Sequence, residues 1–161
     1  MAVKRVPDGF HRVTPHLTVK NAAQMIEFYK KAFGAVEKGR APGPDGKTIM
    51  HAAIQIGDSI VFLNDEFPEM GAPSPATTKT DTCVRLHLYV PDADKTFNAA
   101  VGAGAKVIMP IADMFWGDRY GQVVDPFGHR WSIATRTKNM TEQEMKAAGE
   151  AAMAQMAHSA S

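Results

Sequence analysis

His16-Leu-Thr-Val-Lys-Asn-Ala22 and, 71 residues further on, His87-Leu-Tyr-Val-Pro-Asp-Ala93 read as two copies of one junction, a short apolar run entering a capped helix. The same spacing superposes Ala32 on Ala103 and Gly57 on Gly128, each glycine just ahead of a short apolar run. A spacing that survives from position 16 to position 57 marks a duplicated supersecondary unit rather than a chance match of four residues.

Each copy has the same local grammar. Residues 11–19 alternate polar and apolar positions with Val13, Leu17 and Val19, which predicts a strand. Asn21 then stands as an N-cap with Gln24 three residues on. Ala22, Met25, Ile26, Tyr29 and Phe33 fall on one helical stripe, and Gly34 ends it. Residues 35–40, 48–56 and 59–64 predict three strands, separated by the turn-forming segments Pro42-Gly-Pro-Asp-Gly46 and Gly57-Asp58. In the second copy residues 83–90 predict a strand, and Asp92 caps a helix with Phe97, Ala100 and Val101 inward. Residues 106–109, 120–124 and 130–135 predict the strands that follow, with Asp125-Pro-Phe-Gly128 as the last turn. The fold class is α+β, two tandem βαβββ modules over residues 10–66 and 82–136 that together form one domain. Residues 67–81 read as a linker rich in Pro, Ser, Thr and Gly. Residues 137–161 form a helical tail in which Thr141 and Glu144 make a capping box, and Met145, Ala148, Ala152 and Met156 share one face. That face packs on the chain itself or on a partner subunit, or forms an adaptable methionine-rich groove.

Composition narrows the function. With 18 Lys plus Arg against 17 Asp plus Glu, the net charge of +1 leaves no electrostatic footprint for nucleic acid. The single cysteine, Cys83, excludes an intramolecular disulfide and any multi-cysteine metal site. No signal-like or membrane-spanning apolar run is present in residues 1–161, and a cytoplasmic protein is expected. Nucleophile elbows, phosphate-binding loops and dinucleotide fingerprints are all missing from the sequence.

The duplicated βαβββ plan resembles the vicinal oxygen chelate superfamily of glyoxalases, bleomycin-resistance proteins and extradiol dioxygenases. Residues 11–19, Phe115-Trp-Gly-Asp-Arg-Tyr-Gly121 and Asp125-Pro-Phe-Gly-His-Arg-Trp-Ser-Ile-Ala134 look like the PhnB-like branch. The resemblance implies half-barrel sheets around a central cavity, a homodimer, and a divalent metal held by His or carboxylate on the first and last strands of each module. Aligned on the strand–helix junctions and the turn glycines, those positions fall on Thr14, Arg85, Val61 and Ser132. Arginine cannot ligate a cation, valine has no donor, and Thr and Ser are weak ligands, so the metal site is expected to be absent. Arg85 in its place suggests an anionic or carbonyl-bearing ligand, since a guanidinium supplies positive charge without coordination.

Thr14, His16, Arg85, His87 and Ser132 are therefore expected to line an inter-module cavity, with Trp116 and Arg119 at its rim, and no cofactor. Trp131 is expected to pack against a helix. The competing reading is a metal-dependent lyase, isomerase or dioxygenase in which His16 and His87, equivalent under the repeat, hold the divalent ion. A third is a filled cavity in a fold that serves only association.

Overall fold

Asn21 and Gly34 bracket the first helix as their chemistry requires. In the computed structural model, which describes residues 4–159, Asn21 Oδ1 accepts from the Gln24 N–H at 3.1 Å. The Asp65 carboxylate, arriving from a neighbouring strand, accepts from the Ala22 N–H at 2.7 Å and the Ile49 N–H at 2.7 Å. Gly34 closes the helix in the left-handed conformation, φ 64°. The element between them, α1 (Ala22–Phe33), follows β1 (His16–Val19) and precedes β2 (Val36–Pro42), β3 (Ile49–Ile56) and β4 (Ser59–Asp65). These strands form a sheet of order β1-β4-β3-β2, with β1 and β4 parallel and the other pairs antiparallel.

The connection to the second module is polar yet ordered. Glu66 accepts from the Ser74 N–H at 2.8 Å and the Thr77 hydroxyl at 2.7 Å, which fixes a 3-10 turn at Pro68–Met70 and a single helical turn, α2 (Pro75–Thr78). The second module repeats the first: β5 (Arg85–Tyr89), α3 (Ala93–Gly102), β6 (Lys106–Asp113), β7 (Asp118–Val124) and β8 (Arg130–Arg136), in the order β5-β8-β7-β6. A last helix, α4 (Glu142–Ser159), starts at the capping box: the Thr141 N–H donates to Glu144 at 2.8 Å and the Glu144 N–H to Thr141 Oγ1 at 3.2 Å. Among the described residues no helix is long and apolar enough to cross a membrane.

Several boundaries differ from the sequence expectation. β1 begins at His16 instead of residue 11, and Val13 is 81% exposed. Pro15 accepts from the Phe62 N–H at 2.8 Å but has no N–H of its own to continue the ladder. The first strand of the second module likewise starts at Arg85, leaving Cys83 exposed. β6 runs past the expected end at Met109, through Pro110, to Asp113; it is an edge strand, where a missing donor is tolerated. Val101, expected inward, is 37% exposed, because Ala93, Phe97 and Ala100 already form the buried stripe of α3.

Both modules share one core. α1 packs against α3. Trp131 of β8 lies with its ring 5.3 Å from Tyr29 and 4.8 Å from Phe33, as the sequence suggested. Asp125 fastens this junction, accepting from the Tyr29 hydroxyl at 2.7 Å and the Trp131 indole N–H at 3.0 Å. On the other side α3 lies so close to β7 that a Cβ on Gly121 would stand 2.7 Å from the Phe97 ring. With the helices on the inner faces, strand alternation sends the polar residues of each sheet outward, away from the shared core.

Candidate functional site

On the outer face of the second sheet, β5 contributes Arg85, His87 and Tyr89, β7 contributes Asp118, Tyr120 and Gln122, and β8 contributes Ser132. His87 and Ser132 are cross-strand partners, and His87 Nδ1 lies 2.8 Å from Ser132 Oγ. The imidazole sits over an aromatic floor, with ring centroids 4.6 Å from Tyr89 and 6.0 Å from Tyr120. Arg85 donates to Gln122 Oε1 at 2.9 Å. Below the floor, Asp118 is 2% exposed and accepts from the Tyr89 hydroxyl at 2.9 Å, the Trp116 indole at 3.2 Å and Arg136. Trp116 meets Tyr120 edge-on at 5.5 Å and so walls one side.

The outer face of the first sheet holds a separate cluster. His16 meets the ring of His51 edge-on at 5.6 Å and that of Phe62 at 5.6 Å, and Thr18 and Asn64 share the face. Thr14 stands ahead of β1, partly buried. The residues expected around one inter-module cavity thus divide between two outer faces. Between the modules lies a crevice of about 270 Å³, reached by His16 and Arg130. Arg119 leaves the set altogether. Adjacent to Asp118 on β7, it points to the opposite face and grips Asp94 of α3 through Nε at 2.9 Å and Nη2 at 2.8 Å.

The repeat also changes phase where the sequence alignment held it fixed. His16 pairs with Phe62 but His87 pairs with Ser132, so the counterpart of Ser132 is Phe62, and Val61 is buried in the core. The turns explain this: Gly57-Asp58 joins Ile56 to Ser59, whereas residues 125–129 join Val124 to Arg130. Tyr89, Tyr120 and Gln122 were missed by the sequence reading; the signal for them is the period-two alternation outward from His87.

The sequence profile of the Glyoxalase/Bleomycin resistance protein/Dioxygenase superfamily matches residues 9–133. The chain belongs to this superfamily. An uncharacterised Mycobacterium tuberculosis protein, Rv0887c, is 49% identical over 138 residues, 84% of this chain and 81% of that one. The Arabidopsis thaliana protein At5g48480 is 30% identical over 123 residues, 73% of this chain and 74% of its own. Its crystal structure superposes with a TM-score of 0.62 over 78% of this chain and 98% of that one, at 27% identity. TioX from Micromonospora sp. ML1 gives 0.61 over 78% of this chain and 98% of that one, at 25% identity.

The superfamily resemblance implies a divalent metal, and the residues here do not fit one. Arg85 is a cation, Phe62, the counterpart of Ser132, has no donor, and Ser132 is held by His87. The contacts of His16 lie in the first sheet and those of His87 in the second. Among the described residues no three His, Cys, Asp or Glu side chains gather as a metal site.

Both imidazoles titrate below the ordinary histidine value. Burial lowers His87 most, Asp118 opposes this and Arg85 adds to it. Burial also leads for His16, followed by repulsion from His51, with the Asn64 hydrogen bond opposing. The unfolded chain therefore takes up protons first on acidification, so folding stability falls as pH drops below about 6.5. A His16→Gln/His87→Gln variant is expected to lose less melting temperature than the parent between about pH 7.5 and about pH 5.5, in thermal unfolding followed by circular dichroism. Equal losses in the two proteins would show that these histidines are not the source.

Proposed function

We propose that the chain binds a small planar molecule with a carboxylate or carbonyl edge on the outer face of the second sheet, without a divalent metal. The observation that carries this reading is the His87–Ser132 pair beside the Arg85 guanidinium, set over the Tyr89 and Tyr120 rings. The Tyr89 ring, exposed beside His87, offers stacking area, and Arg85 offers a charged fork for an oxygen pair. A neutral His87 whose Nδ1 is committed to Ser132 presents Nε2 to the ligand, as donor or acceptor according to its tautomer. The acid at the site, Asp118, is covered by its three donors and does not repel an anion at the surface. Residues 115–121 and 125–134 support the PhnB-like branch for this protein, and the single cysteine supports a cytoplasmic setting.

Salicylate, a planar ring bearing a carboxylate, is a direct probe. Calorimetric titration is expected to give one site per chain. Arg85→Ala should weaken it about tenfold or more, as for loss of a charge-assisted hydrogen bond. Arg119→Ala, on the opposite face, should leave the affinity unchanged. Binding that is indifferent to Arg85→Ala would reject the proposal. So would binding that requires added manganese, nickel or zinc and is lost in His16→Ala/His87→Ala.

A further inference from the structure

Arg85 and Arg130 are cross-strand partners on β5 and β8. Arg130 alternates with the buried Trp131, so both guanidiniums belong to the outer face of the second sheet. Neighbouring strands lie about 4.8 Å apart, and two like charges there repel unless an anion joins them. The chain supplies little: Arg85 donates to the neutral Gln122, and Arg130 pairs through Nη2 with Asp81 at 2.7 Å. Asp81 is 82% exposed in the segment ahead of β5, where such a pair contributes little. Arg130 Nε is buried and, among the described residues, has no hydrogen-bond partner. The edge of the guanidinium that binds a carboxylate side-on, Nε with Nη2, is thus only half used. Arg130 also borders the crevice of about 270 Å³ between the modules, whose lining includes His16 and His129 and, among the described residues, no acid.

We propose that this crevice takes a second acidic group of the ligand, held by Arg130, and that Asp81 keeps its place in the empty protein. The inference rests on the planar-ligand reading above, in which Arg85 receives the first carboxylate. It narrows the ligand class to a planar diacid whose two groups leave the same side of the ring. The incoming carboxylate displaces Asp81 and takes Nε and Nη2 together, which satisfies the orphaned donor. It also lies between the two guanidiniums and offsets a repulsion that the exposed Asp81 offsets only weakly. No carboxylate in the described lining of the crevice opposes its entry. An ion pair that only fastened the segment ahead of β5 would explain neither the unpartnered Nε nor the arginine beside it.

Salicylate and 4-hydroxyisophthalate differ by one carboxylate, meta to the first, and so isolate the second group. In calorimetric titrations at about 0.15 M salt, which screens distant charges, the diacid is expected to bind about tenfold or more tighter than salicylate. Arg130→Gln should reduce the diacid to the affinity of salicylate and leave salicylate unchanged. Asp81→Asn, which removes the place-holder but no ligand contact, should tighten the diacid about threefold and leave salicylate unchanged. The two substitutions break the same ion pair with opposite effects on binding, so Asp81→Asn carries the test even where Arg130→Gln melts early. The proposal is overturned by equal affinities for the two probes, by a diacid advantage that survives Arg130→Gln, or by Asp81→Asn failing to tighten the diacid. A diacid that binds through Arg130 but is indifferent to Arg85→Ala upholds the crevice site and rejects the planar-ligand reading. Salicylate binding through Arg85 with no gain for the diacid does the reverse.

Discussion

Replacing Asp125 with alanine is expected to cost about 3–5 kcal/mol of folding stability, among the largest effects of any single polar substitution in this chain. The carboxylate is 4% exposed and accepts four hydrogen bonds. Two come from the Tyr29 hydroxyl and the Trp131 indole, in residues that are 0% and 1% exposed. The other two come from the backbone N–H groups of Phe127 at 3.0 Å and His129 at 2.9 Å, and shape the turn before β8. Alanine leaves the two buried donors without acceptors, at about 1–3 kcal/mol each, and lets the turn reach for water. At about 2–4 °C per kcal/mol for a domain of this size, the melting temperature should fall by roughly 10 °C. Tyr29→Phe removes one donor and keeps the acceptor, so about 1–2 kcal/mol is expected. The two substitutions together should cost less than the sum of each alone, because they share a bond. A melting point for Asp125→Ala within about 2 °C of the parent would show that the modules do not depend on this junction.

That junction illustrates what the sequence could and could not convey. Helix α1 was readable because Asn21, Gly34 and the apolar stripe between them act through local chemistry. Trp131 was readable as a helix contact because it alternates with a polar neighbour in a strand. The phase of the last strands was not. Gly57 and Gly128 match in sequence, but one lies in a two-residue turn and the other in a five-residue turn, and one residue of slip exchanges the faces of a strand. Val61 therefore went to the core while Ser132 went to the outer face.

The candidate site was legible to the same limited depth. Arg85, His87 and Ser132 were named together because the repeat aligned them with a known pattern, and the strand pairing brings them onto one face. Tyr89 and Tyr120 were not among the expected site residues, and the strand pairing shows that these two floor a polar face. Arg119, expected at the cavity rim, lies on the opposite face for a related reason. It borders Asp118 in sequence, but a strand places neighbours on opposite faces, and its true partner, Asp94, comes from a helix 25 residues away. The expected meeting of His16 with His87 required both sheets to turn their polar faces toward a common space. The shared core, built from α1, α3 and Trp131, turns them outward instead.

Asp118→Ala is expected to strip the second face of its shape as well as its support. The carboxylate joins β5 through Tyr89, the loop before β7 through Trp116, and the end of β8 through Arg136, so one side chain sets the positions of floor and wall. Arg136 is half exposed and can rehydrate, which confines the stability loss to about 2–4 kcal/mol. Salicylate affinity should fall about tenfold or more, because two aromatic contacts must then be ordered by the ligand itself. Asp118→Asn separates the two contributions. It retains an acceptor for Tyr89 or Trp116 but removes the charge that holds up the titration of His87. The imidazole of His87 should then titrate lower still, seen by NMR as neutral to more acidic pH than in the parent, while affinity near pH 7 falls less than in the alanine variant. If the alanine variant melts early yet binds salicylate as the parent does, Asp118 supports the fold alone. If His87 titrates unchanged in the asparagine variant, the two groups are not electrostatically coupled across the aromatic floor.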